Sequence, residues 1–328
     1  CGGFAALSGS SVASALTMGK VSLAQMDRFN YDTRLSTGVV AAGGTLGILI
    51  PPSTGFVIFA ILTEQSIGRL FLAGVLPGIL LLCSFLMVIA IMCWIKPELG
   101  PPGPVTTLKE KAKALLGAVP ILTVVVATIG GIYGGFFSPV EAAGVGAGMV
   151  IVYGLITQNL TWAALKEAGQ DSAVTTATVM LILIAAHLIN PFLALSHIPT
   201  VVGDALTGLN LGSYGTLFLI LAVYLVLGCF LEGFAMLVLT MPIFFPVILN
   251  LGLDPIWFGV LVVLTLEMGL ISPPVGLNVF IVKSVAPNVS LGRIFQGVFP
   301  FWLAMLGTLL ILVLFPQISL VLPNTMFR

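Results

Sequence analysis

The sequence predicts an all-α polytopic membrane protein with inverted repeats, two re-entrant hairpins and two broken helices. Three observations carry that prediction. Of the 328 residues, 59% are hydrophobic and only 7% are charged, against roughly 25% charged in a soluble domain. So little charge cannot cover a water-facing surface, so membrane lipid must be the solvent for most of the chain. Apolar runs such as Leu70–Ile95 and Phe295–Phe315 reach the ~20 residues a helix needs to cross a bilayer. Finally, two stretches, "GILIPPSTGFVIF" at Gly47–Phe59 and "GLISPPVGLNVFI" at Gly269–Ile281, place a Pro-Pro pair inside an apolar run.

Taken in order, Phe4–Met18 is too short to span and reads as the returning arm of a re-entrant hairpin, followed by a polar loop at Gly19–Leu35. Ser36–Thr63 crosses with its Pro-Pro break at mid-length, and Leu70–Ile95 crosses back to a Pro- and Lys-rich linker, "KPELGPPGPVTTLKEKAK". Spans follow at Ala114–Phe136 and Pro139–Ile156, then an amphipathic stretch near Trp162–Gln170 and a span at Ala173–Leu195. Tyr214–Leu231 and Phe234–Leu249 flank "LEGF" as a second hairpin, Ile256–Ala286 carries the second break, and Phe295–Phe315 closes the series. The chain starts without Met inside an apolar, Gly-rich segment, from which we expect that an N-terminal part precedes it.

Lys and Arg test this layout, because they collect in cytoplasmic loops. Ten (Lys20, Arg28, Arg34, Lys96, Lys109, Lys111, Lys113, Lys166, Lys283 and Arg293) fall in the proposed inner segments, against two, Arg69 and Arg328, outside. The bias opens the first hairpin inward and the second outward, and leaves the C-terminus outside. A shift of 222 positions then places Ala13 on Ala235, Asp32 on Asp254, Gly47 on Gly269 and Pro51-Pro52 on Pro273-Pro274. "SIGRLF" at Ser66–Phe71 falls on "SLGRIF" at Ser290–Phe295 two residues later. Repeats that start from opposite sides are a common architecture of secondary transporters.

A proline inside a helix removes a hydrogen bond and costs about 3 kcal/mol, and lipid cannot satisfy the carbonyls it frees. Such carbonyls, with nearby hydroxyls, can replace the hydration shell of Na⁺, while half-helix N-termini attract anions. The expected sodium site therefore comprises Ser8, Ser10 and Ser11 at the first hairpin tip with Gly47, Ser53 and Thr54 at the first break. At the second break it comprises Glu232 and Gly233 of the hairpin tip with Ser272 and Gly276. Ser10, Ser53, Asn190, His197 and Asn278 are the expected substrate contacts. The bland alternatives are that "SGSS" only lets helices pack closely, that Glu141 only complements a helix N-terminus, that Glu267 only stabilises the start of the broken helix, and that His187 and His197 are structural. Net charge is zero, so no nucleic-acid partner is expected. The cysteines have no metal-type spacing, and no Walker motif, "HExxH" or catalytic triad is present, so neither an enzyme nor a cofactor beyond Na⁺ is expected.

The motifs "LSGSSVASA", "NYD", "GILIPPS", "SIGRLFLAGVLPG", "FFSPVEAAGVGA", "GCFLEGFA" and "MGLISPPVGLNVF" together resemble the large membrane subunit of tripartite ATP-independent periplasmic (TRAP) transporters over essentially the whole chain. The resemblance implies an elevator-type carrier of the bacterial inner membrane that imports a small organic acid on a Na⁺ gradient. It also implies a small four-helix membrane subunit and a periplasmic substrate-binding protein as partners. On this reading residues 1–63 and 173–286 are the two halves of a transport domain, 64–172 are scaffold and connecting helices, and 287–328 are a C-terminal scaffold helix. Ser8, Ser10, Ser53, Glu141 and Glu232 match motif positions that are functional in the family. The chain departs from the family pattern at Ser14 and Glu232, where aspartates are common, and at Ser196–His197, which lacks an arginine found there in some members. The alternative function is a stand-alone Na⁺- or H⁺-coupled anion carrier of the same superfamily.

Overall fold

The computed structural model describes residues 1–103 and 107–325; among them are sixteen α-helices and no strand. Many of the helices begin where a polar side chain caps their free N–H groups. Asp32 caps α4 (Thr33–Leu49), Ser53 caps α5 (Thr54–Thr63) and Ser66 caps α6 (Ile67–Ile95). Asp254 caps α13 (Pro255–Leu270), whose proline sits at the first turn, where its missing N–H costs nothing. The remaining helices are α1 (Gly2–Ser8), α2 (Ser11–Met18), α3 (Ala24–Arg28), α7 (Leu108–Tyr133), α8 (Pro139–Ile156), α9 (Trp162–Leu195), α10 (Ile198–Gly208), α11 (Gly212–Gly228), α12 (Gly233–Asn250), α14 (Leu277–Val285), α15 (Leu291–Leu314) and α16 (Gln317–Thr325).

Among the described residues, five helices (α6, α8, the 162–189 part of α9, α12 and α15) are long and apolar enough to cross a membrane, and α4 with α5, bent by 40° at Pro51-Pro52, make a sixth candidate. α13 lies at the centre, buried from Ile256 to Leu270 and apolar all round except at Thr265 and Glu267. It is packed by α11, α15, α6 and α4. By contrast, only 11% of α8 and 6% of the apolar part of α9 are covered, so these helices need lipid or another protein against them.

Several elements differ from expectation. Phe4–Met18 is not one arm: it breaks at Gly9–Ser10 into α1 and α2, because Gly9 takes a left-handed φ of 59° and Ser10 caps α2. The expected loop at Gly19–Leu35 is helical through Arg28, with a π-turn at Gly19–Leu23. No proline interrupts that stretch, and its Lys20, Gln25, Asp27 and Arg28 all face outward. Trp162–Gln170 and Ala173–Leu195 form one 34-residue helix, since the single Gly169 near their junction costs only about 1 kcal/mol. α7 begins earlier than Ala114, at a capping box of Thr107 and Glu110. Two short helices, α10 and α16, have no counterpart among the expected elements.

Glycines allow the closest crossings. Gly38 of α4 and Gly297 of α15 meet backbone to backbone, and a Cβ on Gly38 would lie 2.5 Å from the Gly297 carbonyl carbon. At one end of this crossing Asp32 accepts from the Arg34 backbone N–H at 2.7 Å and pairs with the Arg34 and Arg293 guanidinium groups at 3.2 and 3.4 Å. Burial pushes the Asp32 carboxyl up, but hydrogen bonds and charge from Arg34, with the charge of Arg293, outweigh it and hold the group below its usual value. This stabilisation is complete above about pH 4, the ordinary aspartate value, and is lost as pH falls through the lowered one. Asp32→Asn keeps the cap and should cost under about 1 kcal/mol, whereas Asp32→Ala loses the cap as well and should cost about 1–2 kcal/mol. Thermal melts of the two variants at pH 7 check that order; equal costs would mean the cap contributes nothing.

Candidate ion-binding site

The first Pro-Pro break is closed by the tip between α1 and α2. Thr54 donates to the Gly9 carbonyl through both Oγ1, at 2.8 Å, and its backbone N–H, at 3.3 Å. A Cβ on Gly9 would lie 2.7 Å from the Pro52 carbonyl oxygen, and one on Gly47 2.9 Å from the Ser10 carbonyl oxygen. Glycine is therefore required on both sides of the contact. The buried Ser53 Oγ accepts from the Phe56 N–H at 3.3 Å and donates to the Ile48 carbonyl. Ser8 Oγ and Ser14 Oγ are 2.6 Å apart. The expected residues Ser8, Ser10, Gly47, Ser53 and Thr54 thus do come together. They set the C-terminal carbonyls of α4, which favour a cation, beside the N-termini of α2 and α5, which favour an anion.

The second break has a different construction. Pro273-Pro274, cis like Pro51-Pro52, is followed by Gly276, which opens α14 at a left-handed φ of 63° with no side-chain cap. Before the prolines, Ser272 Oγ donates to the Met268 carbonyl at 2.6 Å and accepts from Trp302 Nε1 at 2.8 Å. Asn278, fully buried one residue into α14, has no hydrogen-bond partner for either amide atom. An unpaired buried amide costs about 1–3 kcal/mol.

The two halves meet at a cavity of about 60 Å³ lined by Ser10 and Ser11 of the first tip, Glu232 and Gly233 of the second, and Glu267 of α13. That volume holds a cation and a water or two but no organic acid. A larger cavity of about 570 Å³ beside the first tip, lined by Phe4, Pro52, Phe71, Thr128 and Ala142 among others, holds no charged side chain and would leave a carboxylate unpaired. Glu232 caps α12, accepting from the Phe234 and Ala235 N–H groups at 2.9 and 3.1 Å. Glu267 is 1% exposed; it lines the cavity together with Ser11, and its Oε2 has no partner.

Glu267 corrects an expectation. It starts no helix, because α14 begins at Leu277; it lies in the last turn of α13, where the helix dipole opposes a negative charge. The signal was available as a lone acid in an uncharged run from Pro255 to Val282, since an intramembrane acid marks a functional site by default. Other expected residues lie elsewhere. Glu141 closes a capping box, its Oε2 accepting from the Ser138 N–H and Oγ at 2.8 Å each, and it is exposed. His197 sits exposed in a left-handed turn between α9 and α10, outside the small cavity. The backbone of Asn190 belongs to α9, but its side chain lies outside the described residues.

The family model described as "Tripartite ATP-independent periplasmic transporter, DctM component" matches residues 1–318. The chain belongs to the DctM family of TRAP transporters. Among its relatives is the C4-dicarboxylate TRAP transporter large permease protein DctM of Pseudomonas aeruginosa, 37% identical over 322 residues that cover 98% of this chain and 75% of the relative. The sialic acid TRAP transporter large permease protein SiaM of Vibrio cholerae is 33% identical over 323 residues, covering 98% and 75%. The isethionate TRAP transporter permease protein DctMQ of Oleidesulfovibrio alaskensis is 33% identical over 323 residues, covering 98% of this chain but 50% of its own length. The DctM-family helices of this chain thus occupy a region common to relatives named for different acids.

Proposed function

We propose that this chain is the large inner-membrane subunit of a TRAP transporter that imports a small organic acid on a Na⁺ gradient. The observation that carries the reading is the meeting of two helix tips, from matched parts of the sequence, at one ion-sized cavity that is also lined by Ile48 and Gly55 on either side of the first Pro-Pro break and by Leu270 and Leu277 on either side of the second. Ser10 and Glu232, 222 positions apart, cap the helices after the tips; Asp32 and Asp254, also 222 apart, cap the helices that run into the breaks. Such matching supports inverted repeats and an elevator movement that carries the tips and breaks as a unit. Relatives named for C4-dicarboxylates and sialic acid support a carboxylate as substrate.

Na⁺ binds the carbonyls freed at the breaks, with Ser53 and Asn278 contributing oxygen. The N-termini of α2 and α5 take the carboxylate once the tips part, since the closed cavity is too small for it. Sidedness fits this picture: Arg34 and Arg293, both assigned to the cytoplasm, share Asp32, while Arg69 reaches Asn324 of the C-terminal helix. The nearly bare α8 and α9 leave room for the small four-helix subunit, and a periplasmic binding protein delivers the acid.

Uptake into proteoliposomes tests the reading. Transport that requires both Na⁺ and an added binding protein supports it; uptake of free acid without one would favour a stand-alone carrier, and currents beyond carrier turnover would defeat both. Ser53→Ala should raise the Na⁺ concentration for half-maximal uptake about tenfold, the equivalent of losing about 1.4 kcal/mol of ion binding. Unchanged Na⁺ activation in that variant would remove Ser53 from the ion site.

A further inference from the structure

We infer that Trp302 of α15 is a positioning residue of the second break, holding Ser272 in place from outside the broken helix. Ser272 matters here because the break binds Na⁺, so this inference rests on the Na⁺-coupled reading. Each break has one serine that ties back a carbonyl of the incoming helix. Ser53 Oγ donates to the Ile48 carbonyl of α4, and Ser272 Oγ donates to the Met268 carbonyl of α13. Each hydroxyl also accepts one N–H, and here the two halves differ. Ser53 accepts from the Phe56 backbone N–H, so the first break is fastened by its own outgoing half-helix, α5. Ser272 stands before the prolines, and α14 opens at Gly276 with no side-chain cap. Its donor is instead the indole N–H of Trp302, 30 residues further along the chain and 2.8 Å away.

The internal repeat shows that this hydrogen bond belongs to the second half alone. The shift that pairs the two breaks sets Ser272 on Ile50, and its two-residue slip along the next helix sets Trp302 on Gly78. Gly78 does lie against Ile50, since a Cβ there would stand 2.7 Å from Ile50 Cγ1. Both halves therefore bring the residue before the prolines to the helix that follows the break. In the first half the contact is glycine on isoleucine, with no side-chain donor and no room for one. In the second it is an indole on a hydroxyl. Trp302 is itself oriented by Phe299, whose ring lies parallel to within 4° at 6.5 Å, in a groove lined also by Ser272, Pro273 and Phe295.

The same helix is seated on the first half. Gly297, five residues before Trp302, meets Gly38 of α4 backbone to backbone. α15 thus presses on one broken helix and hydrogen-bonds the other. Because its donor belongs to α15, Ser272 keeps its place when the tips part. The first break depends on its tip, since Thr54 donates twice to the Gly9 carbonyl, and those bonds go when that tip moves. The second break is the preformed half of the site, and the first is completed on closure. Loss of the indole N–H lets the Ser272 hydroxyl turn, and the preformed half loosens.

The test is the melting temperature of the full protein, purified with its membrane partner and titrated with NaCl against choline chloride at constant ionic strength. The readout is the Na⁺ concentration that gives half of the maximal rise. Trp302→Phe keeps a ring and removes the N–H, and should raise that concentration about threefold to tenfold, as expected for one lost hydrogen bond. Ser272→Ala should do the same, and the double variant should be no worse than either single one, because both remove one contact. Phe299→Leu removes the parallel ring but no donor and should leave the concentration unchanged. Benzothienylalanine at position 302 has the shape of tryptophan without its N–H, and should reproduce Trp302→Phe even where phenylalanine fails to fold. A purely structural tryptophan would lower the melting temperature in choline and leave the Na⁺ concentration where it is, which overturns this inference alone. Additive effects of Trp302→Phe and Ser272→Ala do so too, as does an equal rise in Phe299→Leu. A wild type that shows no Na⁺ response overturns the Na⁺-coupled reading and this inference with it.

Discussion

Replacing Asn278 by leucine should make the protein more stable and stop it transporting. The two effects have one cause. Asn278 is fully buried, and neither its amide nitrogen nor its oxygen has a partner. If nothing bound there, the residue would cost about 1–3 kcal/mol for no return. Leucine has a similar volume and no polar atoms, so that penalty disappears and the melting temperature rises. An ion or carboxylate that uses the amide loses its contact in the same variant, and uptake should fall by at least about tenfold. A strained or unpaired group kept at a cost in stability is a mark of a working site. Melting temperature and proteoliposome uptake, measured on one preparation, check the pair. A more stable variant with normal uptake would show that the amide has no function.

The second large effect is structural. Gly297→Ala places a methyl group against the Arg34 carbonyl, and Gly38→Ala places one against the Gly297 carbonyl. Both obstacles are backbone, so no rotamer change relieves them and α4 must move away from α15. Overpacking of this kind costs about 3 kcal/mol, and here the seat of the first broken helix moves with it. Gly307→Ala on the same helix is the control. A Cβ there meets nothing within 4 Å, so it should be neutral or stabilise by up to about 1 kcal/mol through helix propensity. Thermal melts of the three variants separate the contact from the propensity. Equal behaviour of Gly297→Ala and Gly307→Ala would mean that the crossing is loose.

The readings that succeeded rest on local chemistry. A scarcity of charge is incompatible with a water-facing surface, and a proline lacks an N–H. The long apolar helices and the Pro-Pro breaks are accordingly visible in the chain. Helix continuity is less visible, because polar residues on one face of a helix lower hydropathy without breaking a hydrogen bond. Gly19–Leu35 reads as a loop for that reason, yet it is helical through Arg28, and the amphipathic stretch at Trp162–Gln170 reads as separate from the span it continues into. The tip at Gly9 depends on a backbone angle, and its reason lies 43 residues away at the Pro52 carbonyl.

The candidate site divides along the same line. Ser8, Ser10, Gly47 and Ser53 stand beside a Pro-Pro pair or within a motif, and each could be named from its neighbours in sequence. Glu267 could not be interpreted that way, since next to a break an acid is as easily a helix partner as a ligand. Its surroundings are set by segments far apart in sequence, Ser11 of α2 and Glu232 before α12, which line the same cavity. The sequence by itself determined the solvent of this protein, its breaks and its family, because these depend on the chemistry of single residues and short motifs. Only the tertiary structure decided that the two tips share one ion-sized cavity around a carboxylate without a counter-charge, because burial and unmet charge are properties of what surrounds a residue.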